Sequence, residues 1–99
     1  MNRPNGFSVE EIGRITINIY PKPTVYVGDD QDFQNPRCEV VEDWAIVLTE
    51  RAKKRFPLCK FSVGIGIHDA DHRVYAEIII TSPGGSHAEA AEWLKYQTD

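Results

Sequence analysis

The sequence is poor in the residues that announce a compartment or a reaction. Cysteine occurs twice, at Cys38 and Cys59, without the paired spacing of a metal knuckle or the density of a disulfide scaffold. If a single helix joins them, about 20 residues at ~1.5 Å each hold them roughly 30 Å apart, whereas a disulfide needs Cα atoms within ~7 Å. Both are therefore expected to be small buried hydrophobes of a reduced, cytoplasmic protein. No apolar run approaches the roughly 20 residues that cross a bilayer, and the amino terminus MNRPNGFSVEE lacks the apolar centre of a secretory signal. No membrane partner is expected. Also missing are the GxGxxG and GxxxxGK[ST] loops that let backbone N–H groups cradle phosphate, and the Gly-x-Ser-x-Gly elbow of a hydrolase. With neither a cofactor motif nor an activated nucleophile, the expectation is a noncatalytic protein with no cofactor.

The 99 residues suffice for one domain spanning 1–99, since two cores of half that size would each be marginal. Hydrophobic residues at 41% and aromatics at 10% supply the bulk of a core and argue against disorder. A net charge of −4 sets long-range electrostatics against a polyphosphate, so direct nucleic-acid binding is disfavoured and a protein partner is favoured.

Period-two alternation in RITINIY puts Ile15, Ile17 and Ile19 on one face, and TVYVG continues it with Val25 and Val27. Joined through Pro21-Lys22-Pro23, the two would pair Ile19 with Val25 and Ile17 with Val27. Before them, residues 1–13 read as an arm or a short helical turn, with Ser8 and Glu11 at capping-box spacing and Gly13 as the stop. Asn35 and Pro36 then suit the cap and first position of a long helix that Pro57 ends. Its core stripe is Val41, Trp44, Ala45, Leu48 and Ala52, widened by Val40 and Val47.

Two further alternating runs, Phe61 to Ile67 and Val74 to Ile80, fold around Ala70-Asp71 with Ile67:Val74, Ile65:Ala76, Val63:Ile78 and Phe61:Ile80 on one face. Gly66 then stands opposite Tyr75, where a ring can cover bare backbone, and Gly64 opposite Glu77. Ser86 and Glu89 have capping-box spacing at the start of a second helix whose apolar side is Ala90, Ala91, Trp93 and Leu94. Val25-Tyr26 and Asp43-Trp44 recur at one common offset as Val74-Tyr75 and Glu92-Trp93, a weak repeat. The expected fold is α+β: an antiparallel sheet of about four strands with two helices on one face, in the order β-β-α-β-β-α, as two ββα halves.

His68-Asp69-Ala70-Asp71-His72 gathers ligand types for a metal, with His68, Asp71 and His72 the candidates. The hairpin register explains it without any metal, as a polar turn, because aspartate side chains bond nearby backbone N–H groups, and this reading is preferred. A small enzyme built on His68, Tyr75 and Glu77 is a further alternative, since the three would share a face. Arg51, Lys53, Lys54, Arg55 and Lys60 are the best nucleic-acid clue, although cations at a helix end also complement its dipole.

The sheet face turned from the helices is expected to present Asn18, Tyr20, Tyr26, Arg73, Tyr75, Glu77 and Ile79. Tyrosine and arginine are enriched at binding hot spots because each joins a large contact area to a polar tip. The leading expectation is a protein-binding module, an inhibitor or adaptor. It would dock through Tyr20, Tyr26, Arg73, Tyr75, Glu77 and Ile79 together with the acidic loop Asp29, Asp30 and Asp32. The partner could itself be a nucleic-acid-binding protein whose basic surface the loop covers, or a second copy of the chain. Single strands stacking on Tyr20, Tyr26 and Tyr75 form the other alternative.

Overall fold

The computed structural model describes residues 12–28 and 35–98. Along the chain come strand β1 (Ile12–Ile19), helix α1 (Pro36–Arg55), strand β2 (Lys60–Ile67), strand β3 (Val74–Pro83) and helix α2 (Ser86–Thr98). Among the described residues the sheet has three strands in the order β1-β3-β2, and β3 is antiparallel to both neighbours. β1 and β2 therefore run parallel with β3 inserted between them, a split β-α-β unit in which α1 is the crossover.

The α+β class matches expectation, but the fourth strand and the two ββα halves do not form. Instead of turning back after Ile19, the chain bulges through Tyr20–Val25 and touches the sheet again at Tyr26, which makes a single antiparallel bridge to Arg73. Val74 N–H donates to the Val25 carbonyl at 2.8 Å, and Val27 N–H to the His72 carbonyl at 3.2 Å. Because β1 is also antiparallel to β3, Tyr26 prolongs the β1 edge in the same direction rather than reversing along it. Pro21 and Pro23 explain the interruption, since neither can donate to a ladder. The Lys22–Pro23 bond is cis. Residues Ile12 and Gly13, expected in the arm, pair with Pro83 and Ser82 as the start of β1. The rest of the arm, including Ser8 and Glu11, lies outside the described residues.

The β2–β3 hairpin has the expected register, with Ile67 against Val74 and Phe61 against Ile80. Strand β3 alternates in burial, and Val74, Ala76, Ile78 and Ile80 are wholly buried against both helices. Helix α1 contributes Val41, Ala45, Leu48 and Ala52, and α2 contributes Ala90, Ala91 and Leu94. Asn35 caps α1 through its Oδ1, which accepts the Arg37 N–H at 2.9 Å, and Pro36 occupies the first helical position as read from sequence. Phe56 N–H closes the far end on the Ala52 carbonyl.

Val40 and Val47 do not widen the stripe: they are 62% and 51% exposed. Each sits one residue, about 100° of helix rotation, before a buried position, which turns it onto an uncovered flank. Cys38 takes the place they were assigned, buried one turn before Val41. Neither cysteine is joined in a disulfide, and both are buried.

Candidate functional site: the open sheet face

The alternation that buries one side of β3 leaves Tyr75, Glu77, Ile79 and Thr81 on the other, away from the helices. Cross-strand rows on this face read Arg14-Thr81-Lys60, Thr16-Ile79-Ser62 and Asn18-Glu77-Gly64, with Tyr75 beside Gly66. The floor along β2 is thus low, built of serine and glycine. A Cβ added to Gly66 would collide with the Tyr75 ring, so the ring covers the bare backbone there as its sequence position implies. The same addition at Gly64 meets only the Glu77 carbonyl, at 4.0 Å.

At the hairpin end of this face the side chains form one connected group. The Tyr20 and Tyr75 rings lie 5.2 Å apart, tilted by 43°, within the range in which aromatic pairs attract. The Arg73 guanidinium carbon stands 4.6 Å over the Tyr20 ring, a cation–π contact. Arg73 Nε is also 2.6 Å from Asp71 Oδ2. That nitrogen is buried with no well-directed hydrogen bond, so the contact acts chiefly as charge pairing. Asp71 Oδ1 accepts the Arg73 N–H at 3.2 Å, the local turn chemistry expected of aspartate.

The charges shift accordingly. Partial burial pushes the Asp71 carboxyl up, but the short side-chain contact with Arg73, the Arg73 backbone N–H and the guanidinium charge, with a smaller contribution from His68, outweigh it and hold the group below its ordinary value. Arg73 is raised, first by its close side-chain contact with Asp71.

His68 and Asp71, two of the metal candidates, do meet: His68 Nδ1 is 3.2 Å from Asp71 Oδ1. The same nitrogen is 3.3 Å from the Ala70 N–H, which it can accept only when unprotonated. Arg73 already occupies the second carboxylate oxygen, and a cation there opposes a metal. His72 is in the left-handed region, φ 61°, and its N–H closes the turn on the His68 carbonyl at 2.8 Å. Among the described residues no three His, Cys, Asp or Glu side chains are placed to share an ion.

Tyr26 is 49% exposed at the rim, and its carbonyl accepts from Arg37 Nη1 at 2.8 Å, tying the bulge to α1. Glu77 and Ile79 continue the face away from the tyrosines. Asp29, Asp30 and Asp32 lie outside the described residues.

Sequence reasoning missed a second polar group, under α2. Ser82 is 1% exposed; its Oγ accepts the His87 N–H at 2.8 Å and lies 3.4 Å from His87 Nδ1. It supplies a helix-end acceptor four residues before Ser86, where the cap was expected. The His87 ring fills the space a Cβ on Gly13 would need. Cys59 adjoins this group, and burial, aided by Glu89 and opposed by Ser82, raises its thiol above the usual value, away from the reactive thiolate. The only signal in the sequence was the Ser-x-x-x-x-His spacing, which is too common to single out.

The fold and this face define a small open-faced α+β sandwich whose uncovered sheet side carries an aromatic and arginine cluster. No known family model, curated protein or solved structure matches the chain. No helix among the described residues is long and apolar enough to cross a membrane.

Proposed function

We propose that this protein is a noncatalytic docking module, an inhibitor or adaptor that engages a partner protein through the open sheet face. The observation that carries the reading is the Tyr20-Arg73-Tyr75 cluster. Its side chains are held by one another and by Asp71, on a face that neither helix covers. Prefixed side chains lose little rotamer freedom on association, so their contact area converts to affinity more fully than that of mobile groups. Ile79 and Glu77 extend the contact, Tyr26 forms its rim, and the acidic stretch Asp29, Asp30 and Asp32 offers charge to a basic partner.

The test compares wild type with the Tyr20→Ala, Tyr75→Ala double variant in capture from native lysate. Partners lost in the variant while its circular dichroism stays unchanged support the reading, and equal capture by both refutes it.

A second reading has its own support. Arg14 and Lys60 flank Thr81 at one end of the face and Arg73 stands at the other, so the strands bring cations to one side of an acidic chain. Bases of a single strand could stack on the tyrosines between them. Anisotropy of labelled single-stranded oligonucleotides decides it: this reading requires affinity that falls steeply with salt, and no binding at low salt removes it.

A further inference from the structure

The free edge of β2 is distinct from the open face and independent of what that face binds. His68 N–H donates to the Arg73 carbonyl, toward β3, whereas Val74 N–H points the other way, to Val25. Antiparallel ladders alternate, so Phe61, Val63, Ile65 and Ile67 aim their N–H and C=O groups away from β3. Among the described residues no strand pairs with that edge. Edges left in this state template association unless prolines, bulges or central charges block them. The β1 edge is so interrupted, by Arg14 and by the Pro21 and Pro23 bulge. β2 has no proline, no bulge and one charge, Lys60, at its end.

The burial along β2 points the same way. Phe61, Val63, Ile65 and Ile67 are only half-buried, although their β3 neighbours Ile80, Ile78, Ala76 and Val74 are completely so. The strand is apolar enough for two neighbours and has one among the described residues.

We propose that two copies of the chain pair antiparallel along their β2 edges, about a two-fold axis at Gly64, and continue the sheet from one to the other. Pairing must join odd positions to odd ones, because only those carry outward backbone groups and only that parity keeps apolar side chains together. With Gly64 opposite Gly64 of the second copy, Val63 meets Ile65 and Phe61 meets Ile67, and all four outward-facing residues of each strand are used. Sliding by two positions leaves Phe61 or Ile67 without a counterpart. This register also brings each Lys60 beside the other copy's turn with Asp69 and Asp71, an attractive placement. Gly64 and Gly66 present no side chain to keep the strands apart. The contact is isologous, as a two-fold requires, and it sets two Tyr20-Arg73-Tyr75 clusters on one continuous face.

Sedimentation equilibrium on the full chain tests it. Wild type should give twice the 11.2 kDa chain mass at micromolar concentrations. Gly64→Lys has room in the monomer but sets two ammonium groups side by side on the axis, and should raise the dissociation constant about tenfold or more. Ile65→Pro deletes an outward N–H and no β2–β3 bond, and should do the same. Mixing Gly64→Lys with Gly64→Glu should restore dimers, which separates a lost interface from a damaged fold. A wild type that stays monomeric up to about 100 µM overturns the proposal. So does a dimer that both variants leave intact, or a charge-swapped mixture of folded chains that fails to pair.

Discussion

Gly64 and Gly66 lie two positions apart on β2 and face the same way, yet alanine should act oppositely at them. Glycine in a strand interior costs about 0.5–1 kcal/mol relative to alanine, through the freedom it loses on folding. At Gly64 the new methyl meets nothing closer than the Glu77 carbonyl at 4.0 Å, so Gly64→Ala should recover that amount. At Gly66 the methyl falls where the Tyr75 ring lies, and the ring must lift away. Lifting it breaks the 5.2 Å contact with Tyr20, worth about 0.5–1.5 kcal/mol. It also re-exposes a ring face of roughly 40 Å², about 1 kcal/mol more. Set against the same gain from alanine, Gly66→Ala should lose about 1 kcal/mol, leaving the two variants about 2 kcal/mol apart. For a domain of this size the separation is about 10 °C in melting midpoint. Urea melts of both substitutions, alone and combined with Tyr75→Ala, measure it. In the Tyr75→Ala background Gly66→Ala should turn stabilising. If Gly66→Ala is tolerated as well as Gly64→Ala with Tyr75 present, the ring does not occupy that floor and the cluster as described is wrong.

Three further outcomes follow from the geometry. His72 sits at φ 61°, so His72→Gly should leave stability unchanged or raise it, whereas the β-branched His72→Val should cost about 1–2 kcal/mol in a chemical melt. Asp71 is depressed in the folded protein, so its contribution is fully present above the unfolded value near 3.8 and is lost as pH falls through the lower folded value. A carboxyl NMR titration should place Asp71 below a peptide aspartate, and Arg73→Gln should return it toward the ordinary value. Ser82→Ala leaves the His87 N–H at the start of α2 without its acceptor in a buried site, and should lower stability by about 1–2 kcal/mol in urea melts.

The parts of the fold that were legible in the sequence are those fixed by local chemistry. Asn35 and Pro36 mark one end of α1 and Pro57 the other, and each acts within a few residues of itself. The β2–β3 register was legible because only one parity gathers the alternating apolar residues of both runs, Ile79 apart, on one face and also sets Tyr75 against Gly66. Residues 20–28 were not, because alternation records which side chains face the core and not the direction in which the backbone travels. Val27 is buried and Tyr26 exposed whether the segment turns back on β1 or prolongs its edge. The candidate site divides along the same line. Its members could be named from strand parity, but the Arg73 contact with Tyr20 depends on where the chain leaves β1, which the prolines decide in three dimensions. Val40 and Val47 failed for a related reason: helical spacing gives an apolar arc, and the neighbours that cover it set its width.

The open face as docking surface is the central claim, and Glu77 is the exposed residue at its middle. A photoreactive amino acid placed there, and separately at Tyr96 on α2, which is 75% exposed, asks the question directly in cells that make the protein. The account predicts a discrete adduct from position 77, sensitive to protease and not to nuclease, absent from position 96 and lost when Tyr20→Ala and Tyr75→Ala are added. An adduct from position 96 alone, or one from position 77 indifferent to the tyrosines, would contradict it.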